Sequence, residues 1–213
     1  MCKAFIFDLD GVITDTAELH FQAWSKLALE ENLVFTREIN EQLRGISRRD
    51  SLDIILAENV RSESQIAKMM ERKNDVYLDL LNSITKDDIL PGILELLLEL
   101  NARQIKVVLA SASRNARGIL LRLGLIPLFD AIADGWSVER SKPAPDVFIH
   151  AAGQVGVNAN DCVVVEDAQA GVEAGKTAGM KVIGIGPESR VGAADWRVDD
   201  TAAINLKQVL EQF

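Results

Sequence analysis

The chain has only two cysteines in 213 residues, Cys2 and Cys162. Their spacing is unlike that of a metal site, a structural disulfide is not expected, and a reducing cytoplasm fits. Basic residues are outnumbered, 23 Lys and Arg against 32 Asp and Glu, for a formal net charge of -9. A general basic surface for nucleic acid is thereby excluded, although a few local cations can still dominate a cleft that takes an anion. Long hydrophobic runs are missing too. The densest, residues 93–100, is interrupted by Glu95 and Glu99 and is far too short to span a bilayer. The first apolar run is short and carries acids, unlike a secretory signal. Internal repeats and low-complexity segments are absent. A chain of this length, 48% hydrophobic and 26% charged, has the composition of a soluble globular protein. It has room for one α/β domain or a domain with a small insertion.

What is present begins near the N-terminus. Residues 4–7 form a short apolar run that reads as a buried strand. The run leads into Asp8 and Asp10, spaced i, i+2, and then Gly11. Side chains alternate across a strand, so this spacing puts both acids on one side if the extended geometry continues. Two acids at the end of a buried strand are costly unless a metal, a cation or a reaction requires them. In open α/β sheets that end is also where ligands bind.

Two regimes of pattern follow. From about Asp15 to Asp88 the chain reads almost wholly helical, with helices expected over 17–31, 36–43, 51–57 and 64–81, and Asp50 or Ser51 as an N-cap. Elsewhere short apolar strands at 105–110, 131–134, 162–165 and 181–185 alternate with helical patterns at 93–101, 115–123, 145–155 and 170–178. That alternation predicts a doubly wound parallel sheet covered by helices on both faces. The division is then an α/β core, 1–14 plus 89–213, with an inserted helical cap, 15–88. Residues 14–16 and 86–92 form the paired junctions of a hinge.

Three further features stand at ends of core strands: Ser111, Lys142 just before a helix, and the pair Glu166-Asp167. Each alone has an ordinary reading. Asp8-x-Asp10 can be a turn, Ser111 a helix cap, Lys142 a solvated lysine, and Glu166-Asp167 the cap of the next helix. In a doubly wound sheet, however, all of them converge on one crevice. Oxygen-rich carboxylate clusters suit Mg²⁺. Magnesium with a lysine, a hydroxyl and backbone amides suits a phosphoryl group, which an aspartate can attack to form an aspartyl phosphate.

These motifs resemble those of the haloacid dehalogenase superfamily: Asp8-Leu9-Asp10-Gly11-Val12, Ser111, Lys142 and Glu166-Asp167. Within it the chain is similar to the β-phosphoglucomutases through almost its whole length, above all at Gly45-Ile46-Ser47-Arg48 in the cap. The resemblance implies Asp8 as nucleophile and Asp10 as general acid/base. It implies one Mg²⁺ on Asp8, the Asp10 carbonyl and Asp167, with Glu166 counted in the metal set. Ser111, Lys142 and amides near Leu9 and Ala112 would hold the transferring phosphoryl group. Arg48, assisted by Ser113, Arg114 and Asn115, would grip the other phosphate. Gly45 and Ile46 would let the cap backbone approach the sugar. His20 and Lys73 would help place Asp10, and Thr16, Trp24 and Ser47 complete the substrate site.

The implied reaction interconverts β-D-glucose 1-phosphate and β-D-glucose 6-phosphate through β-D-glucose 1,6-bisphosphate, which also serves as activator. The implied protein is a monomer with small sugar phosphates as partners and neither nucleic acid nor membrane. A Mg²⁺-dependent phosphatase of a small sugar phosphate is the alternative. A binding protein with a dead site is opposed by the intact Asp8, Asp10, Lys142 and Asp167. Two departures stand out. Arg114 replaces a lysine common in the family, and the exposed-looking Trp136 is not placed by the family pattern and is expected to pack under the loop carrying Lys142.

Overall fold

The computed structural model describes residues 2–213. The strands are β1 (Ala4–Phe7), β2 (Lys106–Ala110), β3 (Ala131–Ala133), β4 (Cys162–Glu166), β5 (Lys181–Ile185) and β6 (Trp196–Val198). All pair in parallel in the order β3-β2-β1-β4-β5-β6. Every residue of β1 is fully buried, because the strand is central and covered on both faces. The two-residue alternation divides its side chains. Phe5 and Phe7 face one cluster, completed by α5 (Ile93–Ala102) and α6 (Ala116–Leu123). Ala4 and Ile6 face another, completed by α7 (Asp146–Gln154) and α8 (Gln169–Thr177). Burying each such Phe or Ile contributes roughly 1.5–3 kcal/mol.

Between Thr14 and Ile89 the chain is helical. It runs through α1 (Ala17–Glu30), α2 (Arg37–Glu41), α3 (Arg48–Leu56) and α4 (Glu63–Leu80), then two 3₁₀ turns, Leu81–Ser83 and Lys86–Asp88. These helices have their own apolar cluster, with Trp24, Leu27, Leu52, Ile55, Ile66 and Met69 at its centre. The chain's exit from and return to the sheet lie side by side. Thr14 and Ile89 form an antiparallel bridge, and the Leu90 N–H donates to the Ile13 carbonyl at 2.9 Å.

Several predicted boundaries need correction. Helix α3 begins at Arg48, not at 51, because Ser47 is its N-cap: the Ser47 hydroxyl accepts the Asp50 N–H at 3.1 Å. Helix α2 is shorter than 36–43 and is capped by Thr36. The sheet also has a sixth strand, β6, which lay outside the predicted set. It is three residues long, sits at the edge and exposes Arg197, so it carries almost no hydrophobic signature. No helix among the described residues is long and apolar enough to cross a membrane.

Candidate active site

The order of strands reverses beside β1, and the C-terminal ends of β1, β2 and β4 open there into a cavity of about 870 Å³ roofed by the inserted helices. Asp8 lies just past β1, its N–H donating to the Val165 carbonyl at 2.9 Å. The Asp10 N–H donates to Asp8 Oδ2 at 3.0 Å. Lys142 is 1% exposed and donates to Asp8 Oδ1 at 2.5 Å, Glu166 Oε1 at 2.8 Å and the Ala110 carbonyl at 3.1 Å. Three ammonium protons thus meet three acceptors. Burial alone would lower the Lys142 pKa, but the Asp8 and Glu166 carboxylates outweigh it and hold the lysine above its ordinary value. Ser111, also buried, accepts the Ser113 N–H at 3.1 Å, and Ala112 lines the cavity beside it.

Asp10 points toward the helices, where the Thr16 hydroxyl donates to its Oδ1. Burial, and after it repulsion from Asp8, raises the Asp10 pKa to about 7. Its other neighbours form a compact group. Lys73 Nζ lies 2.8 Å from His20 Nδ1, 4.5 Å from the Tyr77 ring centre and 4.8 Å from that of Trp24. Burial, reinforced by the Lys73 charge, pushes the His20 pKa well below its ordinary value. The ring is therefore neutral and Nδ1 can accept from Lys73. Trp24 serves both the helical core and the cavity wall.

The expected metal set is Asp8, the Asp10 carbonyl and Asp167, with Glu166 beside them. Among the described residues no three acidic, His or Cys side chains converge at metal-holding spacing. Glu166 gives one oxygen to Lys142 and the other to the Ala168 N–H at 2.7 Å. The Asp10 carboxylate is turned to Thr16. Asp8 and Asp167 remain the more open pair, while both Glu166 oxygens are engaged, one of them by Lys142. This pair fits Mg²⁺, which is commonly held by one or two carboxylates with waters and phosphate oxygens. Asp167 is 4% exposed, and burial together with the negative charges of Glu166 and Asp8 drives its pKa well up. The local excess of negative charge favours a cation. Gly11 supplies the room: at φ +81° it brings the backbone so close that a Cβ would sit 2.3 Å from Asp167 Oδ2.

A second group of side chains is cationic. Arg48, the first residue of α3, donates to Asn74 Oδ1 at 2.7 Å, and Asn115 Nδ2 donates to the same oxygen at 2.9 Å. Ser113 accepts the Asn115 N–H. Burial, and then the charge of Arg114, lowers the Arg48 pKa. Among the described residues neither Arg48 nor Arg114 pairs with a carboxylate, although both line the cavity. Gly45 and Ile46 line it too, whereas the Ser47 hydroxyl is engaged in the cap of α3.

A haloacid dehalogenase-like hydrolase family profile matches residues 2–179. The chain belongs to this haloacid dehalogenase-like family. β-Phosphoglucomutase of Bacillus subtilis (strain 168) is 45% identical over 215 aligned residues, covering 99% of this chain and 95% of that one. The crystal structure of β-phosphoglucomutase from Clostridium difficile superposes with a TM-score of 0.97 at 42% identity, covering 100% of this chain and 97% of the other. A phosphorylated carbohydrates phosphatase of Thermotoga maritima is 28% identical, covering 98% and 96%.

Two residues of this haloacid dehalogenase-like site were not singled out from sequence. Arg44 reaches from the helices to Asp167 Oδ2 at 3.1 Å, and Asn74 joins Arg48 to Asn115. Their partners are 123 and 41 residues away, so no local signal marks them. Trp136 is not under the Lys142 loop. It is 70% exposed, because its N–H is drawn back to Asp134 Oδ1 at 2.9 Å in a tight turn that leaves the indole outside.

Proposed function

We propose that the protein is a β-phosphoglucomutase, interconverting β-D-glucose 1-phosphate and β-D-glucose 6-phosphate through an aspartyl phosphate and β-D-glucose 1,6-bisphosphate. The observation that carries this reading is one cavity lined both by Asp8 with Lys142 and Ser111 and by Arg48 and Arg114, two arginines paired with no carboxylate among the described residues, which would give it two phosphate sites. A bisphosphate needs both. The likeness to the two β-phosphoglucomutases supports the same reading. In it, residues 15–88 act as a cap over a core of 1–14 and 89–213.

In the first half-reaction Asp8 already carries the phosphoryl group. The sugar hydroxyl gives its proton to Asp10 as its oxygen bonds phosphorus, and the Asp8 oxygen leaves as carboxylate. After the bisphosphate turns over, Asp8 attacks the other phosphorus and Asp10 returns the proton to the departing sugar oxygen. A carboxyl of pKa about 7 suits both directions. Lys142 neutralises Asp8 and the transferring group, and the cap excludes water, the competing nucleophile. Mg²⁺, held by Asp8, the Asp10 carbonyl and Asp167, would add charge neutralisation to the phosphoryl oxygens. Arg48 offers a planar fork to the non-transferring phosphate. The two buried free thiols suit a reducing cytoplasm, and a monomer suffices for all the chemistry.

The likeness to a phosphatase favours hydrolysis as the second reading. Product analysis decides. Purified protein with Mg²⁺ and a trace of bisphosphate should convert β-glucose 1-phosphate to glucose 6-phosphate. Release of inorganic phosphate alone would remove the mutase reading.

A further inference from the structure

The turn after β3 holds an exposed tryptophan that the core does not use. Asp134 fixes the turn, accepting the Trp136 N–H at 2.9 Å and the Ser137 N–H at 2.9 Å. The turn is also tied to the loop after β2, since the Gly135 N–H donates to the Ser113 carbonyl at 3.2 Å. Gly135 makes that approach possible: a Cβ there would lie 2.4 Å from the Ala112 oxygen and 2.9 Å from Arg114 Cγ. Arg114 therefore lies across the turn, with its Cζ 4.0 Å from the centre of the Trp136 ring. The guanidinium pairs with no carboxylate among the described residues and still lines the cavity. A cation stacked on an indole face is held in place while its N–H edge stays free to bind an anion.

We infer that Trp136 is a positioning residue for Arg114, a stacking platform that holds the guanidinium at the cavity mouth for the non-transferring phosphate of the sugar. The inference rests on the mutase reading, in which Arg114 assists Arg48 at that phosphate. It also accounts for the arginine that stands at 114 where the family commonly has a lysine. A lysine, as a compact point charge, gains less from a flat platform, whereas the planar guanidinium of Arg114 stacks on one.

The test uses Mg²⁺-loaded enzyme with bisphosphate activator, in a cycle of Trp136→Leu, Arg114→Ala and the double variant, with Trp136→Phe as rescue. Trp136→Leu should raise KM for β-glucose 1-phosphate about two- to fivefold and leave kcat unchanged, the size expected for an exposed cation–aromatic contact. Trp136→Phe should restore most of the affinity, and Trp136→Leu should add nothing once Arg114 is gone. A fluorotryptophan resonance assigned to Trp136 should shift on Arg114→Ala and on addition of glucose 6-phosphate. An unchanged KM in Trp136→Leu, or an equal rise with and without Arg114, overturns the inference while the role of Arg114 stands. An unchanged KM in Arg114→Ala defeats that role and the inference with it.

Discussion

Asp10, the proposed general acid/base, also bears on the stability of the protein. Its carboxyl titrates near 7 in the folded chain and near 4 when unfolded, so the native state binds the extra proton between those values. Stability from this group therefore falls as pH rises from about 4 to about 7. Asp10→Asn, which mimics the protonated acid, should raise Tm of the metal-free protein at about pH 8 and change it little at about pH 4. Equal Tm gains at both values would contradict the shift. The same variant should lose turnover by about 10²–10⁴-fold, the usual contribution of a positioned acid/base. Wild-type kcat/KM should show a limb with an apparent pKa near 7. Lys142 is the opposite case, because its charge is wanted. Lys142→Met leaves Asp8 and Glu166 buried without their shared cation, and removing one partner of such a group costs about 3–5 kcal/mol. Denaturant unfolding of this variant should show that loss. An unchanged midpoint would mean the ammonium is not the counter-charge of both acids.

At the scale of elements, α3 links a helix cap to the proposed substrate site. Ser47 caps the helix and Arg48 is its first residue, so the cap sets the direction from which the guanidinium enters the cavity. Ser47→Ala should lower stability by about 1 kcal/mol, the ordinary value of an N-cap. It should also raise KM for the sugar phosphate, and Ser47→Asp should recover both. A KM that stays high in the aspartate variant would give the Ser47 hydroxyl a role at the substrate beyond the cap. Strand β1 is simpler: it is fully buried, and its register with β2 and β4 sets Asp8 beside Val165 and Glu166.

Across the whole molecule, polar contacts between the helical layer and the sheet layer include Arg44 with Asp167, Asn74 with Asn115, Arg122 with Asn82 at 2.9 Å, and Glu41 with Arg190 at 3.5 Å. The first is the most sheltered, with the Asp167 side chain 5% exposed, and so should outweigh an ordinary surface pair, worth about 0–1 kcal/mol. Arg44→Ala should enlarge the radius of gyration of the ligand-free protein in solution scattering. An identical profile would show that Arg44 does not help close the cap. Arg48→Ala should spare phosphorylation of Asp8 by a small acyl phosphate but cripple the sugar reaction. Equal damage to both would argue against a second phosphate end in the cavity.

The fold class was legible in the sequence because buried parallel strands leave continuous apolar runs and the helices between them repeat with their own period. Asp8, Asp10, Ser111, Lys142 and Glu166-Asp167 were legible because each follows a strand or precedes a helix, and a doubly wound sheet brings such ends together. What the tertiary structure alone decided are the pairings between groups distant in the chain. Lys142 takes up an oxygen of Glu166, Arg44 crosses to Asp167, Asn74 joins Arg48 to Asn115, and Trp136 lies under Arg114 instead of under the loop carrying Lys142. A side chain's residue type states which partner it can accept, and only the packing of one layer on another determines which partner comes within hydrogen-bonding reach.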